Sequence, residues 1–333
     1  MKQRLHRLIR PLIWSIIATM ALYSASLFMS DLQSIGTAVA RLGGIGWLTI
    51  LGLSLVNYGL RFIRWQNYLS LFNHHVPVCI SLAYYLGGFA FTTTPGKTGE
   101  LIRSRYLQQH GVSYMHSMAA FFSERFLDLI AMVLLALSSA FIFPDARIPI
   151  TVLATLSIGL LPLLQSNIVY RLLNHLNARI PSERIQAIGK HFLSLLHSAS
   201  KLLSSGTLFI GLFLGLLAWA AEAIAFHLIL VYLDVALSPM LAVSIYAISV
   251  LAGALSLIPG GLGTTEATMG ALLMLVGIDP ATAIAATIIC RLSTLWFAVG
   301  IGFVIIIILE SRTGKIPDHQ ATRSSIQPSS KNK

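Results

Sequence analysis

The sequence predicts an all-α integral membrane protein with about six transmembrane helices and two re-entrant helical hairpins in an inverted repeat. Composition is the first observation: 56% of the 333 residues are hydrophobic and 11% are charged, whereas about 25% of the residues of a soluble domain are charged. The second is a Pro-Gly motif that occurs twice, at residues 95–100 and 259–266. The third is the uneven distribution of Lys and Arg, which sets the expected orientation of the spans.

Two full spans are expected before the first motif. A basic N-terminus precedes the apolar residues 11–30, a run that is long for a signal-peptide core, so we expect an uncleaved first span. A second span is expected at residues 45–58. It is followed by Arg61, Arg64 and Trp65, a basic and aromatic pattern typical of an anchor at the membrane interface.

The segment around the first Pro-Gly motif predicts a hairpin that does not cross the membrane. Residues 79–94 are apolar but short, and the polar residues 97–116 follow the motif directly. The chain is therefore expected to enter the membrane, stop, and return to the side it came from. Full spans are expected next at residues 118–143 and 148–164, with a turn at residues 144–147.

Residues 182–204 predict an amphipathic helix that begins after Ser182 as its N-cap. Apolar residues recur there at helical spacing, and basic and polar residues occupy the opposite face. Such a helix is suited to lying on a membrane surface. It is equally suited to packing on the cytoplasmic face of its own protein, and the sequence leaves both possibilities open.

The second half of the chain repeats the plan of the first. A span is expected at residues 208–233, a second entering segment at 238–258, a short helix at 264–276 and a last span at 281–309. The polar, Ser-rich residues that follow are expected to be disordered. We therefore expect one membrane domain at residues 1–310 and a disordered cytoplasmic tail at residues 311–333.

The two Pro-Gly motifs have matching surroundings, which indicates an internal duplication. Residues of the same type follow both motifs at one constant offset, once two extra residues are allowed in the second copy. The repeat units are expected at about residues 79–143 and 238–309. The matching residues are Glu100 and Glu266, Gly111 and Gly277, Ala119-Ala120 and Ala285-Ala286, and Arg125 and Arg291.

The charges favour one topology. With a cytoplasmic N-terminus and two hairpins that do not cross, cytoplasmic segments contain 19 of the 23 Lys and Arg, as the positive-inside rule requires. The outer loops contain Arg41 and Arg147, and Arg125 and Arg291 lie in spans. The first hairpin then opens to the cytoplasm and the second to the outside, which is an inverted repeat of the kind common among secondary transporters. Both termini are expected in the cytoplasm.

The Gly-rich breaks are the first candidate site. Irregular backbone at membrane depth is tolerated where protein or a water-filled cavity covers it, and the N-terminus of a helix after such a break is suited to an anion, especially phosphate. Glycine hinges that only allow close packing are the alternative. The candidate substrate-binding residues at and near the two breaks are Pro95, Gly96, Gly99, Glu100, Pro259, Gly260, Gly261, Gly263 and Glu266.

Charged residues inside spans are the second candidate group, because they are costly in lipid and usually pair. Arg125 and Asp128 are one turn apart and can form an ion pair. Arg291 has no acid within a turn, so we expect it to pair with Glu266 or with Glu222. Glu124 joins this group, although a position at the end of its helix would also explain both it and Arg125.

The sequence gives no indication of an enzyme site. It contains no phosphate-binding loop, no nucleophile elbow and no spacing of Cys and His typical of a metal site. We therefore expect no catalytic residue, no metal and no cofactor. The net charge of +11 is explained by the orientation of the spans, so no nucleic-acid partner is expected.

The ordered set of motifs resembles one known family over about residues 8–310. It is similar to the membrane region of lysylphosphatidylglycerol synthases, which also occurs alone in flippase-like proteins. The resemblance implies handling of lipid headgroups, because in the full-length synthases this region moves aminoacylated phospholipid across the bilayer. The motifs are Arg61-Phe62-Ile63-Arg64-Trp65, Pro95-Gly96-Lys97-Thr98-Gly99-Glu100, Glu124-Arg125-x-x-Asp128, Trp219-x-x-Glu222, and Ile258-Pro259-Gly260-Gly261-Leu262-Gly263-x-x-Glu266 with Arg291 following.

Lysyl transfer is not expected, since the separate synthase domain is not found in this sequence. The expected function is translocation of a lipid or lipid headgroup in the bacterial inner membrane. The expected partners are membrane lipids: an anionic or aminoacylated phospholipid, or a polyprenyl-phosphate lipid. The alternative is a membrane-embedded transferase acting on phospholipid or polyprenyl-linked substrates, or an accessory partner of one. A homo-oligomer or a complex with a partner membrane enzyme is left open.

Overall fold

The computed structural model describes residues 32–137 and 144–313, and this part of the chain is helical without a strand. The predicted span at residues 11–30 lies outside it. The described helices are α1 (Leu32–Leu71), α2 (Val78–Gly88), α3 (Ile102–Gln108), α4 (Tyr114–Ala136), α5 (Pro144–Gln165), α6 (Asn167–Ala178), α7 (Glu183–Leu202), α8 (Ser205–Tyr232), α9 (Pro239–Leu255), α10 (Thr264–Leu275), α11 (Pro280–Arg291) and α12 (Phe297–Thr313).

Four stretches in the described ranges are long and apolar enough to cross a membrane. They coincide with the predicted spans in α1, α5 and α8 and with the last predicted span, which α11 and α12 form together. Helix α4 corresponds to the predicted span at residues 118–143. It has 23 residues but carries three charges near its middle. The stretches are Gly36–Leu71, Arg147–Gln165, Ser205–Tyr232 and Pro280–Ser311.

Both Pro-Gly motifs lie between two helices that contact each other. Helix α2 leads through the 3₁₀ turns Phe89–Phe91 and Pro95–Leu101 into α3, and α9 leads through the turn Pro259–Gly261 into α10. With 11 and 17 residues, α2 and α9 are about 16 and 26 Å long, shorter than a hydrocarbon core of about 30 Å. The two tips also contact each other, so both breaks meet at one place in the protein.

Helix α8 lies at the centre of the bundle. It packs along α1 and also contacts α4, α9 and α11. Small residues on α8 let its neighbours approach closely, as is typical of helix contacts in membranes. At Gly215, for example, an added Cβ would lie 2.8 Å from the guanidinium Nη1 of Arg64. The glycine therefore makes room for a charged side chain of α1.

The last span contains a π-helical turn at Leu292–Trp296, directly after Arg291. The turn widens the helix, and two of its carbonyl groups accept hydrogen bonds from α1. Ser54 donates its hydroxyl to the Ser293 carbonyl at 2.8 Å, and Tyr58 donates to the Thr294 carbonyl at 2.7 Å. Turns of this kind are frequent at functional sites.

Helix α12 packs against the first hairpin. It contacts α2 and the turn Phe89–Phe91. The contact depends on Gly302, where an added Cβ would lie 2.8 Å from the carbonyl carbon of Phe89 and clash with the backbone nitrogen of Ala90. The backbone of the last span at Gly302 therefore packs directly against the backbone of the first hairpin, with no side chain of residue 302 between them.

Two sequence-based predictions about local structure are wrong. Residues 144–147 do not form a turn, because the described part of α5 is already helical from Pro144, a residue suited to a first helical turn. Arg61 and Arg64 are not an interfacial anchor. Helix α1 continues to Leu71, and inside the protein Arg61 is 5% exposed and Arg64 is fully buried.

The amphipathic helix is confirmed as α7, with Ser182 at its N-cap position. A second helix before it, α6, was not predicted. The helix of the last span extends to Thr313, three residues beyond the predicted membrane domain. The rest of the predicted tail lies outside the described residues.

Candidate functional site

A cavity of about 320 Å³ lies beside the two Pro-Gly tips. It is lined by residues of α1, the first tip, α4, α8, α9, the second tip, and α11 with the π turn. Among the described residues that line it, two are acidic, Asp128 and Glu222. Four are cationic: Arg61, Lys97, Arg125 and Arg291. Charges from five separate segments of the chain thus converge on one space.

Asp128 is the centre of the charged cluster on the first side of the cavity. Its carboxylate lies 2.6 Å from Arg64, 3.1 Å from Arg125 and 3.7 Å from Arg61. The predicted pair between Arg125 and Asp128 is therefore present, but two arginines of α1 share the same carboxylate. All four side chains are largely buried, where an ion pair is screened little by solvent.

Glu100 of the first tip lies behind this cluster. Its carboxylate accepts a hydrogen bond from the Thr92 hydroxyl at 2.7 Å and lies 4.0 Å from Arg125. At the same tip the Gly99 amide donates to the Thr94 hydroxyl at 2.6 Å. Side chains of the tip thus use some of the polar groups that the break exposes.

Glu124 is fully buried and pairs with Arg103 of α3 at 2.6 Å. The Arg103 guanidinium lies over the Trp65 ring at 3.8 Å from its centroid. A cation over an aromatic face is stabilised by the ring quadrupole. The pair therefore fastens the returning helix of the first hairpin to α4 and α1, and Glu124 acts in the interior rather than at a helix end.

The second tip is held by Arg291. Its Nε donates to the Glu266 carboxylate at 2.7 Å, and its Nη2 donates to the Gly260 carbonyl at 2.7 Å. Of the two expected partners of Arg291, Glu266 and Glu222, the structure shows Glu266. The same carboxylate accepts from the Gly263 amide at 2.8 Å, so Glu266 caps the N-terminus of its own helix. Gly260 and Gly263 have φ values of 64° and 86°, which favour glycine.

The remaining acid of the cavity, Glu222, lies on α8 and is buried. It accepts a hydrogen bond from the Tyr246 hydroxyl of α9. One turn earlier on α8, the Trp219 ring has Arg61 at 5.6 Å and Lys97 at 5.8 Å from its centroid. One wall of the cavity is thus formed by an aromatic ring and two cations from separate segments of the chain.

Several buried donors at the cavity have no hydrogen-bond acceptor among the described residues. These donors are the Nε and Nη2 atoms of Arg61, the Nε atom of Arg125 and the indole Nε1 of Trp219. A buried donor without an acceptor is costly. Their position beside an open space makes this cavity the candidate binding site among the described residues.

The structure brings most of the predicted site residues to this region. Arg125, Asp128, Glu222, Gly260, Gly261 and Arg291 line the cavity. Glu100, Glu124 and Glu266 lie behind it as partners of arginines. Pro95, Gly96 and Gly99 belong to the first tip, and Pro259 and Gly263 to the second.

Sequence reasoning missed Arg61, Lys97 and Trp219 as parts of the site. Arg61 was assigned to the interface because it follows an apolar run. The spacing of Arg61 and Arg64 was an available signal, since two arginines one turn apart in a long helix share a face. Two buried arginines on one helix face would then require an acid from another span as their partner.

Known proteins with similar sequences support the membrane assignment. The chain is similar to a UPF0104 membrane protein of Methanothermobacter thermautotrophicus, with 24% identity over 294 residues, 83% of this chain and 84% of the relative. A UPF0104 membrane protein of Methanocaldococcus jannaschii is 26% identical over 235 residues, 70% of this chain and 99% of the relative. One of Pyrococcus horikoshii is 25% identical over 280 residues, 74% of this chain and 81% of the relative.

The sequence profile described as "Lysylphosphatidylglycerol synthase TM region" matches residues 12–302. This match covers both Pro-Gly tips, every described residue that lines the cavity, and the long apolar stretches except the last nine residues of the final one. The resemblance found from the motifs is thereby confirmed, and the protein is a membrane-embedded, multi-pass protein. The chain belongs to the family of the lysylphosphatidylglycerol synthase TM region.

Proposed function

We propose that this protein is a flippase-like transporter that moves a lipid or lipid headgroup carrying a phosphate across the bilayer. The single observation that carries the proposal is the cavity beside the two tips, with four cations against two acids among its described lining residues. Arg291 is paired with Glu266 and Arg125 with Asp128, so Arg61 and Lys97 are the lining cations that we propose attract an anion. The buried donors of Arg61 and Arg125 that have no acceptor among the described residues match the oxygens of a phosphate.

Side-chain cations, rather than helix amides, are proposed to hold the anion. The Gly263 amide is used by Glu266 and the Gly99 amide by Thr94, so neither is available to a ligand in this conformation. Arg61 and Lys97, by contrast, flank the Trp219 ring at the cavity wall. A guanidinium offers several donors in a plane and is well suited to phosphate.

We propose that an acyl chain occupies the apolar part of the same cavity. Leu255, Leu257 and Ile258, which precede the second tip, line the cavity and are exposed. Exposed apolar residues beside a charged pocket suit a molecule with a charged head and an apolar tail. A small hydrophilic anion would make no favourable contact with these apolar residues. Their presence therefore favours a lipid as the ligand.

Alternating access is proposed to come from two repeat units, residues 79–143 and 238–309, that rock against each other in an inverted arrangement. Contact between their tips supports this proposal. Lys97 and Leu257, one near each tip, have φ values of 57° and 55°. Such strain at a non-glycine residue is of order 1–3 kcal/mol and is typical of switch regions.

The two hairpins of an inverted repeat must open to opposite sides. Cys79 at the start of α2 and Met240 at the start of α9 are both exposed, so they can be labelled. We expect a membrane-impermeant thiol reagent to modify Cys79 and a Met240→Cys variant (in a Cys79→Ser background) from opposite sides of sealed vesicles. Labelling of both from one side would rule out the inverted repeat.

The proposed location is the cytoplasmic membrane of a bacterium, with both termini in the cytoplasm. The candidate ligands are an anionic or aminoacylated phospholipid and a polyprenyl-phosphate lipid, which share the phosphate group. A homo-oligomer or a partner membrane enzyme is compatible with this role.

A vesicle assay tests the transport proposal. Purified protein is reconstituted with a fluorescent phosphatidylglycerol, and a reducing agent added outside bleaches the probe that has reached the outer leaflet. We expect bleaching beyond one leaflet with the wild-type protein. In Arg61→Gln, the loss of charge-assisted hydrogen bonds worth about 1.5–3 kcal/mol should weaken headgroup affinity about 10- to 150-fold.

Arg41→Gln is the matched control, since Arg41 pairs with Asp234 on an exposed surface away from the cavity. It should transport like the wild-type protein. The proposal would be contradicted if neither the wild-type protein nor Arg41→Gln transported fluorescent phosphatidylglycerol, an aminoacylated lipid probe or a polyprenyl-phosphate probe. Mass spectrometry of the same vesicles covers the enzyme alternative, because a covalently altered lipid would identify a transferase instead.

A further inference from the structure

Helices α6 and α7 form a hairpin with a fixed internal geometry. The side chain of Asn177, near the end of α6, donates to the Gln186 carbonyl of α7 at 3.2 Å. Gly189 of α7 faces the same side chain, and a Cβ at that position would clash with the Asn177 amide oxygen. This close approach holds the two helices together as one unit.

The C-terminal half of α7 packs on the protein. Leu193 and Leu202 of α7 are buried, and α7 contacts α4 and α5. The Gln165 amide at the end of α5 donates to the Leu203 carbonyl after α7. The hairpin is thus attached to the bundle through the C-terminal half of α7.

The hairpin carries two exposed apolar stripes. One stripe on α6 has the spacing i, i+4, i+8, and one stripe on α7 has the spacing i, i+3, i+7, so each follows a single helix face. Every residue of both stripes is at least half exposed. The stripes consist of Ile168, Leu172 and Leu176 on α6, and Ile185, Ile188 and Phe192 on α7.

Basic side chains border these stripes. Arg171 lies one turn after Ile168, and Arg184 lies one turn before Ile188. Glu183 is the one acid from residue 166 to residue 204. Against it, this segment has five exposed cations: Arg171, Arg179, Arg184, Lys190 and Lys201. The surface therefore complements a partner that is both apolar and negatively charged.

The position of the hairpin in the chain indicates which apolar and negatively charged partner is near it. Helix α5 ends at Gln165 and α8 begins at Ser205, and both contain stretches able to span the membrane. The hairpin is therefore tethered at both ends to the membrane surface where α5 ends. A bilayer is present at this surface at a high effective concentration.

We propose that the α6–α7 hairpin lies in the membrane–water interface and binds the anionic phospholipids of the adjacent leaflet. The apolar stripes insert between the first acyl carbons, and the bordering cations contact the headgroup phosphates. This site is separate from the cavity and does not depend on transport. It gives the protein a second lipid contact, with leaflet lipids that are not the transported molecule.

Spin labelling of the full chain tests the proposal. In a Cys79→Ser background, nitroxides are attached at Ile188→Cys in an apolar stripe and at Ser194→Cys, an exposed position on the other side of α7. The protein is placed in nanodiscs of phosphatidylcholine with and without phosphatidylglycerol. We expect the label at 188 to collide with dissolved oxygen and to be shielded from a water-soluble nickel complex, and the label at 194 to show the reverse.

The charge part is tested with the triple variant Arg171→Gln, Arg184→Gln, Lys190→Gln. Phosphatidylglycerol should increase the depth of the label at 188 in the parent protein, and this increase should be lost in the variant. Arg147→Gln, an exposed cation at the other end of α5, is the control and should keep it. An unchanged melting temperature shows that the variants remain folded.

Two outcomes would overturn the proposal. Equal access of the nickel complex to positions 188 and 194 in nanodiscs with phosphatidylglycerol would place the apolar stripes in water. Spin–spin broadening between labels at position 188 of two copies would assign the surface to a dimer instead of a leaflet.

Discussion

Replacement of Asp128 by Asn tests whether one carboxylate holds the charged cluster together. Arg64, Arg125 and Arg61 lie 2.6, 3.1 and 3.7 Å from it. In Asp128→Asn three buried guanidinium groups lose their shared counter-charge. Removal of one partner of a buried ion pair lowers the free energy of unfolding by about 3–5 kcal/mol. At about 2 °C per kcal/mol for a chain of this size, the melting temperature should fall by about 6–10 °C.

The buried thiol of Cys290 provides the assay. A thiol-reactive fluorophore reports unfolding when it reaches this residue, which is 1% exposed, and a Cys79→Ser background removes the exposed thiol. Asp234→Asn is the matched control because it breaks the exposed pair between Asp234 and Arg41. The Arg41 side chain is 58% exposed and the Asp234 side chain is 84% exposed. Exposed pairs contribute about 0–1 kcal/mol, so this variant should melt within about 2 °C of the parent.

Equal melting temperatures for Asp128→Asn and Asp234→Asn would refute the reasoning. They would mean that the arginines find other counter-charges, or water, when the carboxylate is lost. A lipid phosphate is one such counter-charge. Repeating the measurement with phosphatidylglycerol added to the detergent micelles should therefore restore more stability to Asp128→Asn than to the control.

Two further changes probe the second tip and the last span with the same melting assay. Glu266→Gln weakens the charged contact with Arg291, so we expect a loss of about 1.5–3 kcal/mol, and an unchanged melting temperature would contradict the role of this pair. Gly302→Ala forces a Cβ into the backbone of the turn Phe89–Phe91 and should cost about 1–3 kcal/mol. Gly300→Ala, with open space around its position, should be neutral, and equal effects of the two alanines would refute the close contact.

Local pattern predicted the helices and the pairs that are close in sequence. The long apolar runs, the cap at Ser182 and the pair of Arg125 with Asp128 all follow from spacing within one helix. That Arg291 pairs with an acid followed from cost, since an arginine deep in an apolar run needs one, although the choice of Glu266 over Glu222 came from the structure. These features needed no knowledge of which helices are neighbours.

The rest of the site depends on tertiary neighbours. Arg61 looks like an anchor because it follows an apolar run, and only the position of α4 beside α1 shows that Asp128 is near. The stacking of Arg103 on Trp65 likewise joins residues from separate elements. Helix α6 could have been found from Ser166, whose hydroxyl accepts from two amides of its first turn, but the helix has only 12 residues.

The π turn after Arg291 also lets the last span hold an extra residue without rotating its second half. Such a turn holds one residue more than a regular helical turn, so the residues after it keep the facing that a regular helix one residue shorter would give them. The same residue added to regular helix would rotate them by about 100°. Deletion of Leu292 should therefore restore regular helix and leave Gly302 against the backbone of Phe89, while the turn loses the carbonyl geometry that accepts from Ser54 and Tyr58. A deletion variant in which Gly302→Ala no longer lowers the melting temperature would disprove this. One additional residue thus opens two carbonyl groups toward α1 in the middle of an apolar span, at no cost to the contact between α12 and the first hairpin.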